Sequence, residues 1–74
     1  MLLSAKQIKI SLKAARVNAG YSLVTASEKL HISKNTLNNW ELGISEPKTS
    51  QARQLSELYN MPYDAIIFLP SKSN

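Results

Sequence analysis

The sequence has no cysteine and a single histidine, His31, and these two shortages remove most catalytic and metal chemistry at once. Without thiols there is neither a disulfide framework nor a thiolate zinc site, so the fold must rest on packing, as suits a reducing cytosol. One histidine among five scattered acidic residues gives no metal-ligand spacing and no constellation of acid, base and nucleophile. The chain is therefore expected to be no enzyme, to take no cofactor or metal, and to have no small-molecule substrate. Long apolar runs are also missing. Nothing approaches the roughly eighteen residues of a membrane span, and Met1 to Leu3 is followed at once by Ser4 and Lys6, which is no secretory signal. The alanine-rich stripe near the N-terminus is too weakly apolar to seat on a membrane surface and is needed for the core, so no membrane partner is expected. The expected location is the cytoplasm. Repeats, linkers and alternating strand patterns are absent.

What remains is a chain of 74 residues, enough for one small domain with one modest core, expected over 1–74 with its core at 5–69 and a frayed tail at 70–74. A hydrophobic fraction of 43% suffices for folding, and a net charge of +4 tilts the choice of partner toward a polyanion without deciding it. Helical periodicity dominates. Ser4 can cap a first helix over about 5–19, closed by Gly20, with Ile8, Leu12, Ala15 and Ala19 as its buried stripe. Lys6, Lys9 and Lys13 share another face, with Arg16 on its border, and that face is either a solvated surface or a phosphate contact. Ser22 begins a second helix ending near Leu30; Thr25 with Glu28 also spells a capping box, but a start there would leave barely one turn. A third helix follows the turn at 31–33 and stops at Gly43. A fourth, about 49–59, buries Ala52, Leu55, Tyr59 and Leu58 and ends at Asn60, and Pro62 suits the start of a last short helix over 63–68. The expected class is all-α, a compact bundle of about five short helices.

The third helix carries the chemistry. With Ser33 as its N-cap and about 100° per residue, Leu37 and Trp40 fall on one side, and Lys34, Asn35, Asn38, Asn39 and Leu42 fall on the other. Asparagine is a middling helix former, so three in one short helix are hard to justify by folding alone. Base recognition wants them. An asparagine amide offers a donor and an acceptor together to the N6/N7 edge of adenine, and lysine donates to O6 and N7 of guanine, both in the major groove.

Two short helices joined by a tight turn, with small Ser27 at their crossing, Ile32 in the turn, then Leu37 and Trp40, form the helix-turn-helix pattern. With "RVNAGYS" before it and "NNWELGISEP" after it, the chain resembles the lambda-repressor-like DNA-binding domain of the Cro/C1-type (XRE-like) phage repressor family over residues 12–67. The resemblance implies a bundle whose third helix lies in the major groove. Position by position, it implies base reading by Lys34, Asn35 and Asn39, with Asn38 beside them. Phosphate contacts are implied at Ser22 and Leu23, where the second helix begins, and at Ile44, Ser45 and Lys48 in the loop after the third; Lys9 and Lys13 are further phosphate candidates from their charge. Arg16 and Glu41 match a pair that forms a salt bridge inside the domain in some members. Three positions depart from the pattern. Leu23 replaces a glutamine that commonly holds a phosphate, His31 replaces a turn glycine, and Ser27 replaces alanine.

The implied function is that of a sequence-specific transcriptional regulator of phage or prophage style, binding double-stranded DNA at a two-fold operator as a homodimer that can form on DNA alone. Ile66, Ile67, Phe68 and Leu69 cannot all be buried by a helix of one or two turns, so Ile66, Ile67 and Phe68 are the expected dimer interface, the alternative being that the tail folds back over them. The competing function is a helix-turn-helix module that binds protein, antitoxin-like or adaptor-like, for which the apolar Leu42 and Ile44 beside the reading face and the loss of glutamine at Leu23 argue.

Overall fold

The computed structural model describes residues 9–68. In chain order they form a short strand β1 (Ile10–Ser11), helices α1 (Leu12–Asn18), α2 (Leu23–Leu30), α3 (Lys34–Leu42) and α4 (Thr49–Tyr59), a 3-10 turn (Tyr63–Ala65) and a strand β2 (Ile66–Ile67). This is the expected all-α bundle, with the fifth helical element reduced to a single 3-10 turn.

The helix boundaries are set by local chemistry. Ser11, Ser22 and Ser33 cap α1, α2 and α3, each hydroxyl accepting the backbone N–H three residues on, from Ala14, Thr25 and Thr36, at 3.0 Å. α4 starts differently: the Gln51 side-chain carbonyl accepts the Lys48 N–H at 2.8 Å. All four helices stop in the same way. Gly20, His31, Gly43 and Asn60 take φ between +55° and +87°, and the next N–H turns back to the carbonyl five residues earlier: Tyr21 to Arg16, Ile32 to Ser27, Ile44 to Asn39, Met61 to Ser56. That pair of features is the Schellman motif, which answers carbonyls a helix end would leave open.

The core gathers Leu12 and Ala15 of α1, Ala26 and Leu30 of α2, Leu37 and Trp40 of α3, Leu55 and Tyr59 of α4, and Ile66 of β2. Ser27 is buried at the α2–α3 crossing, where its hydroxyl donates to the Val24 carbonyl at 2.8 Å and so costs no unpaired polar group.

Both ends of the described segment depart from expectation. Among the described residues the first helix begins at Leu12, and the expected helix over 5–19 does not run through Ile10 and Ser11, which are extended and pair in parallel with Ile66 and Ile67. The expected cap Ser4, together with Lys6 and Ile8, lies outside the described residues, as do Leu69 and the tail 70–74. Lys9 precedes β1 while Lys13 sits on α1, so the two do not share one helical face. At the other end, Ile66 and Ile67 form a strand where a helix was expected. Pairing between the two ends of the domain overrides local periodicity there, and it buries Ile10 partly and Ile66 fully against the core.

Candidate nucleic-acid interface

α2 and α3 are the most closely packed pair of elements, joined by the three residues 31–33, with His31 at φ 60°, ψ 42° supplying the reversal. Histidine there carries a left-handed backbone that glycine would adopt without strain.

α3 has two unlike faces. Leu37 (0% exposed) and Trp40 (5%) fill the inner one. On the outer one Lys34 and Asn35 are exposed, Asn38 and Asn39 half-buried, and Leu42 stands 56% exposed at the last position. Asn35, Asn38, Asn39 and Leu42 follow the i, i+3, i+4, i+7 spacing of a single helical stripe. None of the three side-chain amides hydrogen-bonds to another described residue. Three donor–acceptor groups are thus held on one helix with nothing among the described residues to satisfy them.

The posture of α3 is fixed from behind. Arg16 Nε donates to Glu41 Oε2 at 2.6 Å and Nη2 to Oε1 at 3.2 Å, a two-pronged ion pair from α1 to α3, and Nη1 donates to the Tyr21 carbonyl at 3.1 Å in the α1–α2 turn. The two side chains are only 10% and 4% exposed. The hydrogen bonds to Glu41 raise the guanidinium pKa further above its already high value, against the opposing effect of burial, so Arg16 stays charged. Arg16 is thereby turned inward, as a strut and not an arm.

At the start of α2, Ser22 accepts the Thr25 N–H on its hydroxyl and the Ala26 N–H on its carbonyl, while the N–H groups of Leu23 and Val24 point out of the helix end without a partner among the described residues. The Leu23 side chain packs partly against the core.

Residues 12–66 match the helix-turn-helix family. The chain belongs to the XRE-like helix-turn-helix family. It is 43% identical over 56 residues to the HTH-type transcriptional regulator ImmR of Bacillus subtilis (strain 168), an alignment covering 76% of this chain and 44% of that protein. The chain therefore spans less than half the length of this relative. No solved structure matches significantly.

The loop after α3 closes the helix with its own backbone. The N–H groups of Ile44 and Ser45 both turn back to the Asn39 carbonyl, at 2.9 and 3.4 Å, so these amides close the helix and are not offered to a phosphate; what the loop presents outward is the Ile44 side chain, 56% exposed, the half-exposed Ser45 and the exposed Lys48. Sequence reasoning missed this, although Gly43 followed by an aliphatic is the signal of such a termination. Lys9 and Lys13 are exposed on either side of β1. At the far end the candidate interface needs correction: Ile66 is 5% exposed and belongs to the core, which removes it from any dimer surface. Ile67 is 43% exposed, and the Phe68 ring stacks on Tyr63 with centroids 5.3 Å apart. Among the described residues no cluster of His, Asp or Glu is placed to hold a metal ion, and no helix is long and apolar enough to cross a membrane.

Proposed function

We propose that this chain is a sequence-specific double-stranded-DNA-binding transcriptional regulator of phage or prophage style, which acts by occupying a two-fold operator. The observation that carries this reading is the stripe of three unanswered amides on the outer face of α3, since a folded helix gains nothing from them and the major-groove edge of adenine matches them. In this reading Asn35 and Asn39 read bases, Lys34 reads a guanine or holds a phosphate at the first helical turn, and Asn38 lies beside them. The open N–H groups at the start of α2, next to Ser22 and Leu23, take a phosphate, and Ser45, Lys48, Lys9 and Lys13 supply further backbone contacts, with Ile44 against the sugar. The name of the Bacillus subtilis relative, a transcriptional regulator, agrees with it.

Selection of bound sequences from random duplexes tests the proposal, followed by a salt titration of the winner. Binding should weaken steeply as salt rises, because each neutralised phosphate releases counterions. A shallow slope with no preferred duplex would favour a helix-turn-helix module that binds protein, for which the exposed Leu42 and Ile44 are the supporting observation.

The proposed active species is a homodimer, which can form on DNA alone, paired through Ile67 and Phe68 so that two copies of α3 lie about 34 Å apart. Ile67→Lys should abolish cooperative occupation of paired half-sites and spare binding to one half-site. Wild-type protein that binds paired half-sites without cooperativity and sediments as a monomer would refute the pairing.

A further inference from the structure

Leu42 is the one apolar residue in the reading stripe, and the fold makes little use of it. The inner face of α3 is already filled by Leu37 and Trp40, while Leu42 stands 56% exposed at the end of the helix. The helix termination does not need it either. The Schellman closure runs through the Gly43 and Ile44 N–H groups, to the Trp40 and Asn39 carbonyls. Its usual accompanying apolar contact joins the residue after the reversal to the helix position five earlier, which here would pair Ile44 with the polar Asn39.

By phase Leu42 lies between Asn38 and Asn35, three and four residues beyond Asn39 and Asn38 respectively, so it faces whatever the amides face. From Asn35 to Leu42 the helix advances seven residues, about 10 Å at 1.5 Å per residue, so Leu42 meets a different base pair from Asn35. The base edges of the major groove offer only one apolar group, the C5-methyl of thymine. Against any other base edge an aliphatic side chain would strip water from an N–H donor or a ring acceptor without replacing its hydrogen bond, which is unfavourable.

Resting on the proposal that the outer face of α3 reads DNA, we infer that Leu42 is a specificity-determining residue that selects a pyrimidine carrying a C5-methyl group, thymine in unmodified DNA, at the end of the site opposite the one read by Lys34. The amide stripe then reads adenines through hydrogen bonds, and its last position reads a methyl through contact and through the exclusion of unpaired polar edges.

The test is a uracil scan. Each thymine of the preferred duplex is replaced in turn by deoxyuridine, which removes the methyl and leaves the hydrogen-bonding edge intact, and binding of wild-type protein, Leu42→Ala and Ile44→Ala is measured by anisotropy. Alanine is an equally good helix former and Leu42 is mostly exposed, so Leu42→Ala should keep the wild-type melting curve. One uracil position per half-site should weaken wild-type binding about three- to five-fold, the worth of one buried methyl group. Leu42→Ala should lose that sensitivity at that position and no other, and Ile44→Ala should keep it. Wild-type protein indifferent to every uracil, or Leu42→Ala as sensitive as wild type at the same position, overturns the inference while leaving DNA binding in place. If no preferred duplex emerges at all, the underlying proposal fails and the inference falls with it. Intact DNA binding by Leu42→Ala with lost self-association would assign the side chain to a protein contact instead and also overturn it.

Discussion

The inner and outer faces of α3 are built on opposite terms. Behind the helix the one charged group, Glu41, has both carboxylate oxygens taken by Arg16, and the apolar residues Leu37 and Trp40 are sealed from solvent. On the outer face the amides of Asn35, Asn38 and Asn39 are answered by nothing within the described domain, and Leu42 is left in solvent. Nine residues thus separate two tasks: one face contributes to folding and fixes orientation, and the other is free to recognise. Substitutions on the inner side should cost stability, and substitutions on the outer side should cost binding.

The largest expected effect is on the inner side. Arg16→Ala strands the buried Glu41 carboxylate and frees the Tyr21 carbonyl, and breaking one partner of such a pair costs about 3–5 kcal/mol, most of the stability of a domain this size. Urea denaturation should show a variant that is barely folded. A stable Arg16→Ala protein with weakened DNA binding would break the comparison by moving Arg16 to the phosphate contacts.

A smaller effect is expected at Tyr59, whose hydroxyl is buried without a hydrogen-bond partner among the described residues. Burial, reinforced by the nearby Glu41 carboxylate, raises the phenol pKa well above its ordinary value. The folded state therefore holds Tyr59 neutral, while the unfolded chain ionises near pH 10, so this contribution to stability is complete below about pH 10 and is lost above it. Tyr59→Phe should be neutral or stabilising by up to about 1 kcal/mol at neutral pH, since no hydrogen bond is lost, and it should flatten the alkaline loss of stability seen in urea midpoints measured on both sides of about pH 10. An unchanged alkaline slope would mean that another group governs it.

The smallest effect is at the turn between α2 and α3. His31→Gly removes the side chain from a left-handed backbone and should raise stability by roughly 0.5–1 kcal/mol, the strain relief outweighing the greater freedom of glycine in the unfolded chain. Lost stability on thermal melting would show that the imidazole holds the turn by its contacts.

Much of this contrast was legible in the sequence, because local chemistry sets it. The Ser22 and Ser33 caps and the left-handed His31, Gly43 and Asn60 place α2, α3 and α4 where the residues alone put them, and a rotation of about 100° per residue separates Leu37 and Trp40 from the amides. The ends were not legible. Ile10 and Ile66 come from opposite ends of the domain and pair as parallel strands, a long-range choice that no local window contains, and Ser11, which sequence reading placed inside a helix, caps α1. The same pairing moved Ile66 from a candidate surface into the core. In the loop after α3, the resemblance implied phosphate contacts at Ile44 and Ser45 without saying which atoms would make them, and the fold turns both backbone N–H groups back to the Asn39 carbonyl.

The central claim is that the outer face of α3 reads bases, and it is tested most directly by measuring the affinity of Asn35→Ala and Asn39→Ala for the preferred duplex and for a scrambled duplex of the same length, beside wild type. Each substitution should cost roughly 1–3 kcal/mol on the preferred duplex and little on the scrambled one, with thermal melting unchanged. Equal losses on both duplexes, or no loss on either, would contradict the account and show that the amides of α3 are not base readers.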